Sequence, residues 1–158
     1  MGEAIEPPCP GYTHAPHTAD VLVVAHGRSL EEAFEQAALA VYEVMTDTGK
    51  VAPRVEKVVE VEGFDLENLL YRWIEELLVI TDSEGLVFSR FKVEAIEKVG
   101  ESGGEEGGEQ YRLRARVWGE PFDPERHEHR TIVKAMTYAM MEIRREDGCW
   151  HVQFVVDI

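Results

Sequence analysis

The chain has 158 residues, 44% of them apolar, with 16 basic and 31 acidic side chains and a formal net charge of −15. That length suits one domain around one core, and the apolar fraction excludes wholesale disorder. The charge opposes broad phosphate binding, because polyanions are repelled at long range; it suits a basic partner, a hard cation or simple solubility. No run approaches the roughly 18 apolar residues that span a bilayer. The N-terminus lacks the basic start and apolar stretch of a secretory signal. Two cysteines, Cys9 and Cys149, are too few for a disulfide scaffold. A bridge between them stays open, and a reducing cytoplasm is the default expectation.

Residues 1–11 are rich in proline and read as a flexible arm, with a first strand entered near Tyr12. "ADVLVVA" (19–25) follows as a strand that is apolar on both parities, hence expected to be covered on both faces. "SLEEAFEQAALAVYEVM" is an amphipathic helix. Ser29 is its N-cap and Glu32 stands at the capping-box spacing, with a stripe of Leu30, Phe34, Ala37, Val41, Val44 and Met45. "RVEKVVEVEG" alternates as a half-buried strand, with Val55, Val59 and Val61 opposite Glu56, Glu60 and Glu62. Asp65 then caps a second helix, whose stripe is Leu66, Leu69, Leu70, Trp73, Leu77 and Ile80, and Gly85 ends it.

"LVFSRFKVEAIEKV" and "YRLRARVW" read as a hairpin. Phe91, Val93 and Ala95 face the core from one strand; Tyr111, Leu113, Ala115 and Val117 from the other. Residues 100–110 between them carry glycine and glutamate but no apolar side chain to bury, and read as a mobile tip. Arg112, Arg114 and Arg116 form an outward basic stripe, read as cross-strand pairing with acids such as Glu94 or as a docking patch for phosphate or an acidic partner. "GEPFDPERHEHR" is a polar loop. "TIVKAMTYAMMEIRR" is read as a short helix turning into a strand, with "EDG" as a turn into "CWHVQFVVDI". There Trp150, Val152, Phe154 and Val156 face inward. The sum is an α+β single domain: a mixed or antiparallel sheet of about six strands with two main helices packed on it.

No phosphate-loop, dinucleotide, CxxC or HExxH signature occurs. His14, His17, His127 and His129 offer zinc ligands in principle, but nothing in sequence joins the two groups. Cys149 and His151 flank Trp150, and Cys149 reads most simply as a small buried apolar group. Asp20 and Asp157 stand at the margins of apolar strands, where a charge needs a partner. That partner is a turn N–H, Lys134, an arginine, or a cation. The carboxylate expected at Ile158 would add oxygens beside Asp157, and hard cations take oxygen ligands.

"HTADV", "SLEEAFEQAALA", "DLENLLYRWIEELL", "LVFSRF", "GEPFDPERH", "VKAMTY" and "VVDI", in this order, resemble the archease family from about Tyr12 to Ile158. The resemblance implies a mixed sheet with helices packed on it over residues 12–158. It implies a cytoplasmic protein, not itself an enzyme, that activates the RtcB-type ligase of tRNA splicing. Such a protein promotes guanylylation of the ligase, sustains multiple turnover and widens its nucleotide choice. It also implies a divalent metal, calcium-like with Mg2+ or Mn2+ as alternatives in cells, on Asp20, Asp157 and the Ile158 carboxylate. Lys134 takes the place of a lysine needed for activation. The ligase is then the partner, tRNA is met only through it, and neither DNA nor a membrane is expected. Pro16 stands where the family often has an acid, and Ala139 where it often has a histidine. The rival readings are a chaperone or modulator of an RNA- or DNA-modifying enzyme, a metal-dependent hydrolase, and direct RNA binding through the arginine stripe.

Overall fold

In the computed structural model, which describes residues 9–16, 20–99 and 110–158, the two long helices begin at their expected caps. Helix α1 spans Leu30–Met45. Ser29 Oγ accepts from the Glu32 N–H at 3.0 Å, and Glu32 Oε1 accepts in return from the N–H of Arg28 at 2.6 Å. The capping box therefore closes one residue early. Helix α2 spans Leu66–Glu84, and Asp65 accepts from the Asn68 N–H at 2.7 Å. It ends at Gly85, whose φ of 70° favours glycine and lets its N–H reach the Thr81 carbonyl at 2.9 Å.

The helices meet through buried aromatic residues. Trp73 Nε1–H donates to the Phe34 carbonyl at 3.0 Å. The Tyr42 hydroxyl lies 2.9 Å from the Leu77 carbonyl and 2.6 Å from Thr81 Oγ1. Phe34, Tyr42, Trp73 and Leu77 are fully buried, so these polar atoms bond to one another in place of water.

Among the described residues the strands are β1 (Gly11–Pro16), β2 (Asp20–Gly27), β3 (Val55–Gly63), β4 (Leu86–Val99), β5 (Gln110–Pro121), β6 (Ala135–Met136), β7 (Glu142–Glu146) and β8 (Cys149–Asp157). They form two sheets, all antiparallel. One has the order β1-β2-β8-β6, with β7 also on β8; the other has the order β3-β5-β4. The helices pack on both sheets, which is the α+β single-domain class expected. The division into two sheets was not legible, because pairing partners leave no mark on the strand pattern itself.

Three local expectations are corrected. "TIVKAMTYAMMEIRR" holds no helix. Its main chain runs extended along β8, interrupted between β6 and β7 where Met140 takes a φ of 55°. Tertiary pairing with β8 overrides what helical tendency the segment has. In β4 the register shifts between Val93 and Ala95, so Ile96 rather than Ala95 stands opposite core-facing Leu113. Ala95 instead joins Arg114 on the outer face. Finally, β2 is less covered on its outer face towards Asp20, though His26 at the far end of that face is buried. Val23 and Ala25 are fully buried in the core, whereas Asp20, Leu22 and Val24 on the other face are half-buried.

Other expectations hold. Asp147 and Gly148, with φ of 56° and 73°, make the two-residue turn from β7 into β8. Val152, Phe154 and Val156 are buried in the core, with Trp150 packed against it. Of the expected arm, residues 1–8 lie outside the described residues, as do 100–109 of the expected hairpin tip.

The end of β5 conceals a buried charge that the following polar loop helps to satisfy. Glu120 is fully buried, accepting from the Ala52 N–H at 2.8 Å, from Arg54 at 3.1 Å and from Arg126 at 2.8 Å, with His127 Nε2 at 2.8 Å. Burial alone would raise its pKa, but these four bonds outweigh burial and hold it down at about 2. A group depressed in the folded state stabilises above its unfolded value of about 4.5, and that contribution is lost as pH falls towards 2. Glu120→Ala strands the buried His127 ring and the half-buried Ala52 N–H, and releases the exposed Arg54 and Arg126; it is expected to cost about 3–5 kcal/mol. Urea melts at pH 7 and pH 3 should show the variant's deficit shrinking at the lower pH.

Candidate functional site

The site follows from the pairing of β2 with β8. Asp20 and Asp157 are direct register partners, as are Val21 with Val156 and Leu22 with Val155. Directly opposed residues of an antiparallel pair point to the same face, with Cβ atoms about 4.5–5.5 Å apart. The two carboxylates therefore share one corner of the outer sheet face, Asp20 half-buried and Asp157 exposed. Opposed carboxylates at that Cβ spacing can be bridged by one cation. Two like charges so placed repel each other, and a shared positive charge relieves that.

Asp157 is paired on its other side too. Ala135 of β6 is its second register partner, and the Lys134 N–H donates to the Asp157 carbonyl at 2.8 Å. This fixes the backbone of the "VKAMTY" segment beside the carboxylates. Thr137 Oγ1 donates to the Val155 carbonyl at 2.7 Å. Tyr138 stacks on Tyr71 of α2 with ring centroids 4.4 Å apart, and Asn68 Nδ2 donates to its hydroxyl at 2.7 Å. The motif is thus held by sheet, hydroxyl and ring contacts, while the Lys134 side chain is exposed. Among the described residues Lys134 makes no ion pair with Asp20 or Asp157. Ile158 is half-buried and packs against the core, which holds its main chain next to Asp157. An all-oxygen donor set of this kind fits a hard cation such as Ca2+ or Mg2+.

The histidines proposed as zinc ligands are dispersed. His14 Nε2 bonds the Ala40 carbonyl at 3.0 Å, His127 belongs to the Glu120 cluster, and His129 lies against Phe122. His17 lies outside the described residues. The histidines that do meet are His26 and His151, register partners near the opposite end of the same strand pair. Beside them Cys149 is bonded to Cys9, so it is not the plain buried thiol expected. Strand alternation puts Cys149 and His151, two residues apart, on one face, a pair that the sequence reading passed over. What the sequence lacked was the crossing strand that brings His26.

The arginine stripe is occupied. Arg112 pairs with Glu62 at 3.4 Å, Arg114 with Glu60 at 3.2 Å, and Arg116 with Glu56 at 2.5 Å. Glu94 reaches both Arg114 at 3.4 Å and Arg116 at 2.8 Å. The bond from Arg116 holds the Glu94 carboxyl below its ordinary range. The face is a mixed-charge ladder, not an open basic patch. Exposed pairs contribute little. Arg114→Ala is therefore expected to shift Tm by less than about 4 °C. In a gel shift, wild type and variant alike should leave RNA unretarded at physiological salt; a steeply salt-dependent retardation lost in the variant would assign the ladder to RNA.

No helix among the described residues is long and apolar enough to cross a membrane. The model of the Archease protein family (MTH1598/TM1083) matches residues 12–158. The chain is 63% identical over 150 residues to the protein archease of Aeropyrum pernix, covering 95% of this chain and 99% of that one. It is 47% identical over 148 residues to the protein archease of Pyrococcus furiosus, covering 93% and 98%. The solution structure of Methanobacterium thermoautotrophicum protein 1598 superposes with a TM-score of 0.74 at 38% identity, covering 94% of this chain and 99% of that one. The crystal structure of an archease, "possible chaperone", from Thermotoga maritima has the same fold at 19% identity, with a TM-score of 0.55 and full coverage of both chains. With its family model matched over nearly the whole length and the strand pairing that joins "HTAD" to "VVDI" in place, this chain belongs to the archease family.

Proposed function

We propose that this protein is an activating partner of an RtcB-type RNA ligase in the cytoplasm. It promotes guanylylation of the ligase, lets it turn over repeatedly and widens its nucleotide choice, without catalysing a reaction of its own. The observation that supports this best is the register pairing of Asp20 with Asp157 beside the main chain of Lys134. In this reading Asp20 and Asp157, with the main-chain carboxylate at Ile158, hold one divalent ion. Ca2+ suits the flexible, mostly carboxylate site, and Mg2+ or Mn2+ are the cellular alternatives. When bound, such an ion supplies positive charge that can orient a phosphate oxygen at the ligase's nucleotide site.

The chain's own residues do the rest. The net charge of −15 draws the protein towards basic rims of a cleft that already grips RNA. Repulsion from polyanions keeps it off the RNA itself, so tRNA is met only through the ligase. Lys134, exposed and unpaired with the two aspartates among the described residues, is aimed at an acidic or phosphate group of the partner. A second reading, chaperone or modulator of an RNA- or DNA-modifying enzyme, draws on the "possible chaperone" wording attached to the Thermotoga maritima structure.

Ligase guanylylation reconstituted at limiting divalent ion tests the proposal. Wild-type protein should accelerate it. Asp20→Ala should abolish most of that acceleration while keeping the far-ultraviolet circular dichroism of the fold. Ca2+ at 100 times its Kd should stabilise wild type by about 2.7 kcal/mol and the variant hardly at all. Equal acceleration by wild type and Asp20→Ala would remove the metal from the mechanism.

Lys134→Ala separates contact from internal support. The variant should keep its Tm within a few degrees and lose activation. A large fall in Tm with activation retained per folded molecule would make the lysine structural.

A further inference from the structure

Six residues along β2 from Asp20, on the same outer sheet face, a second group of side chains converges. His26 Nδ1 lies 2.5 Å from His151 Nδ1, with the two rings 4.5 Å apart and nearly perpendicular at 88°. Cys149 stands two residues before His151, so strand alternation turns its sulfur to the same face. One ligand atom from each of His26, Cys149 and His151 falls within 4.8 Å of the other two. Among the described residues this is the one group of three or more such side chains gathered so closely. Cys9 completes it, since its sulfur is bonded to that of Cys149 across a Cα separation of 6.5 Å. His26 is 1% and Cys149 8% exposed.

We propose that, when the Cys9–Cys149 bond is reduced, Cys9, His26, Cys149 and His151 form a tetrahedral two-cysteine, two-histidine site for Zn2+. Two sulfurs and two imidazole nitrogens at one point are the donor set Zn2+ prefers over Ca2+ or Mg2+. Bonds of about 2.3 Å to sulfur and about 2.0–2.1 Å to nitrogen require the two Nδ1 atoms to part by less than about 1 Å. The charge balance also suits burial. Two thiolates and two neutral imidazoles around a divalent ion sum to zero, so no net charge is left in a dry site. The site is chemically distinct from the carboxylate corner, and the two stand roughly 20 Å apart along the strand pair.

The step is balanced as a two-electron exchange. A small dithiol gives two electrons and two protons; the Cys9–Cys149 bond breaks into two thiols, and the dithiol closes to its own disulfide. Binding of Zn2+ then releases those two protons and leaves two sulfur–zinc bonds. Disulfide and zinc are mutually exclusive occupants of the same sulfurs. The N-terminal segment at Cys9 is thus fastened to β8 in both states, covalently in one and through the metal in the other.

The full-length protein tests this with Co2+ as an optical stand-in for Zn2+. After reduction with a dithiol and its removal under argon, titration should raise the visible d–d bands of tetrahedral cobalt with a sulfur-to-cobalt charge-transfer band, saturating at one ion per chain and bleached by Zn2+. The oxidised protein should show neither band. The chain has only two cysteines, so a thiolate band can arise nowhere else. Cys9→Ser and His26→Gln should each lose the tetrahedral spectrum, Cys9→Ser being the safer variant because it leaves the core intact. A variant with both Asp20→Asn and Asp157→Asn should keep it, which separates this site from the proposed hard-cation site. A reduced wild type without a charge-transfer band, or a His26→Gln variant with an unchanged spectrum, would overturn the proposal.

Discussion

The antiparallel pairing of β2 with β8 is the constraint on which the proposed functional face depends. It joins a strand near the beginning of the chain to one near its end, and its register is set by burial. Val21, Val23 and Ala25 lie opposite Val156, Phe154 and Val152 on the core side. A slip of one residue would turn the three apolar side chains of the slipping strand to the other face. The same register therefore dictates the opposite face without any attraction between the residues there. Asp20 meets Asp157 and His26 meets His151 because the apolar pairs between them are locked. Hydrophobic burial sets up a repulsive carboxylate pair that no local interaction would assemble.

Support for this face comes from two directions. Beneath it, α1 packs on β2 and is braced against α2 through Tyr42 and Trp73. Along its edge, β6 pairs with the end of β8 and β7 with its start, so both ends of β8 are paired on that side too. The interruption between β6 and β7 has a use. It releases Thr137–Met141 from the ladder, so Tyr138 can swing onto Tyr71 while Lys134 stays anchored by its N–H to Asp157. A continuous strand would have sent those side chains alternately up and down at fixed intervals.

Charge is handled differently in the two sheets. In the three-stranded sheet, acids and arginines alternate across β3, β5 and β4 on a solvent-exposed face, where each pair contributes little. At Glu120 one carboxylate is taken fully out of water and receives four donors, which ties the loop after β5 to the segment before β3. That is why "GEPFDPERH" works as a unit, since Glu120, Arg126 and His127 are partners in one cluster. At the corner proposed for a hard cation, Asp20 and Asp157 are instead set opposite each other by the strand register.

Local elements were legible in the sequence wherever a single segment carries its own instructions. Ser29 and Asp65 announce their helices, Gly85 ends one, Asp147-Gly148 turns a hairpin, and valines alternating with glutamates declare a strand. The family resemblance rested on such segments, and it marked Asp20, Asp157 and Lys134 as residues of interest. What single segments could not carry was proximity. That the strands divide into two sheets, that "TIVKAM" runs extended, that a β-bulge hands the core from Ala95 to Ile96, and that Cys9 and His26 reach Cys149 and His151 all depend on partners far along the chain. Propensity and periodicity are properties of neighbours in sequence. Register and convergence come from burying one common core, and only the folded chain decides which distant residues that burial brings together.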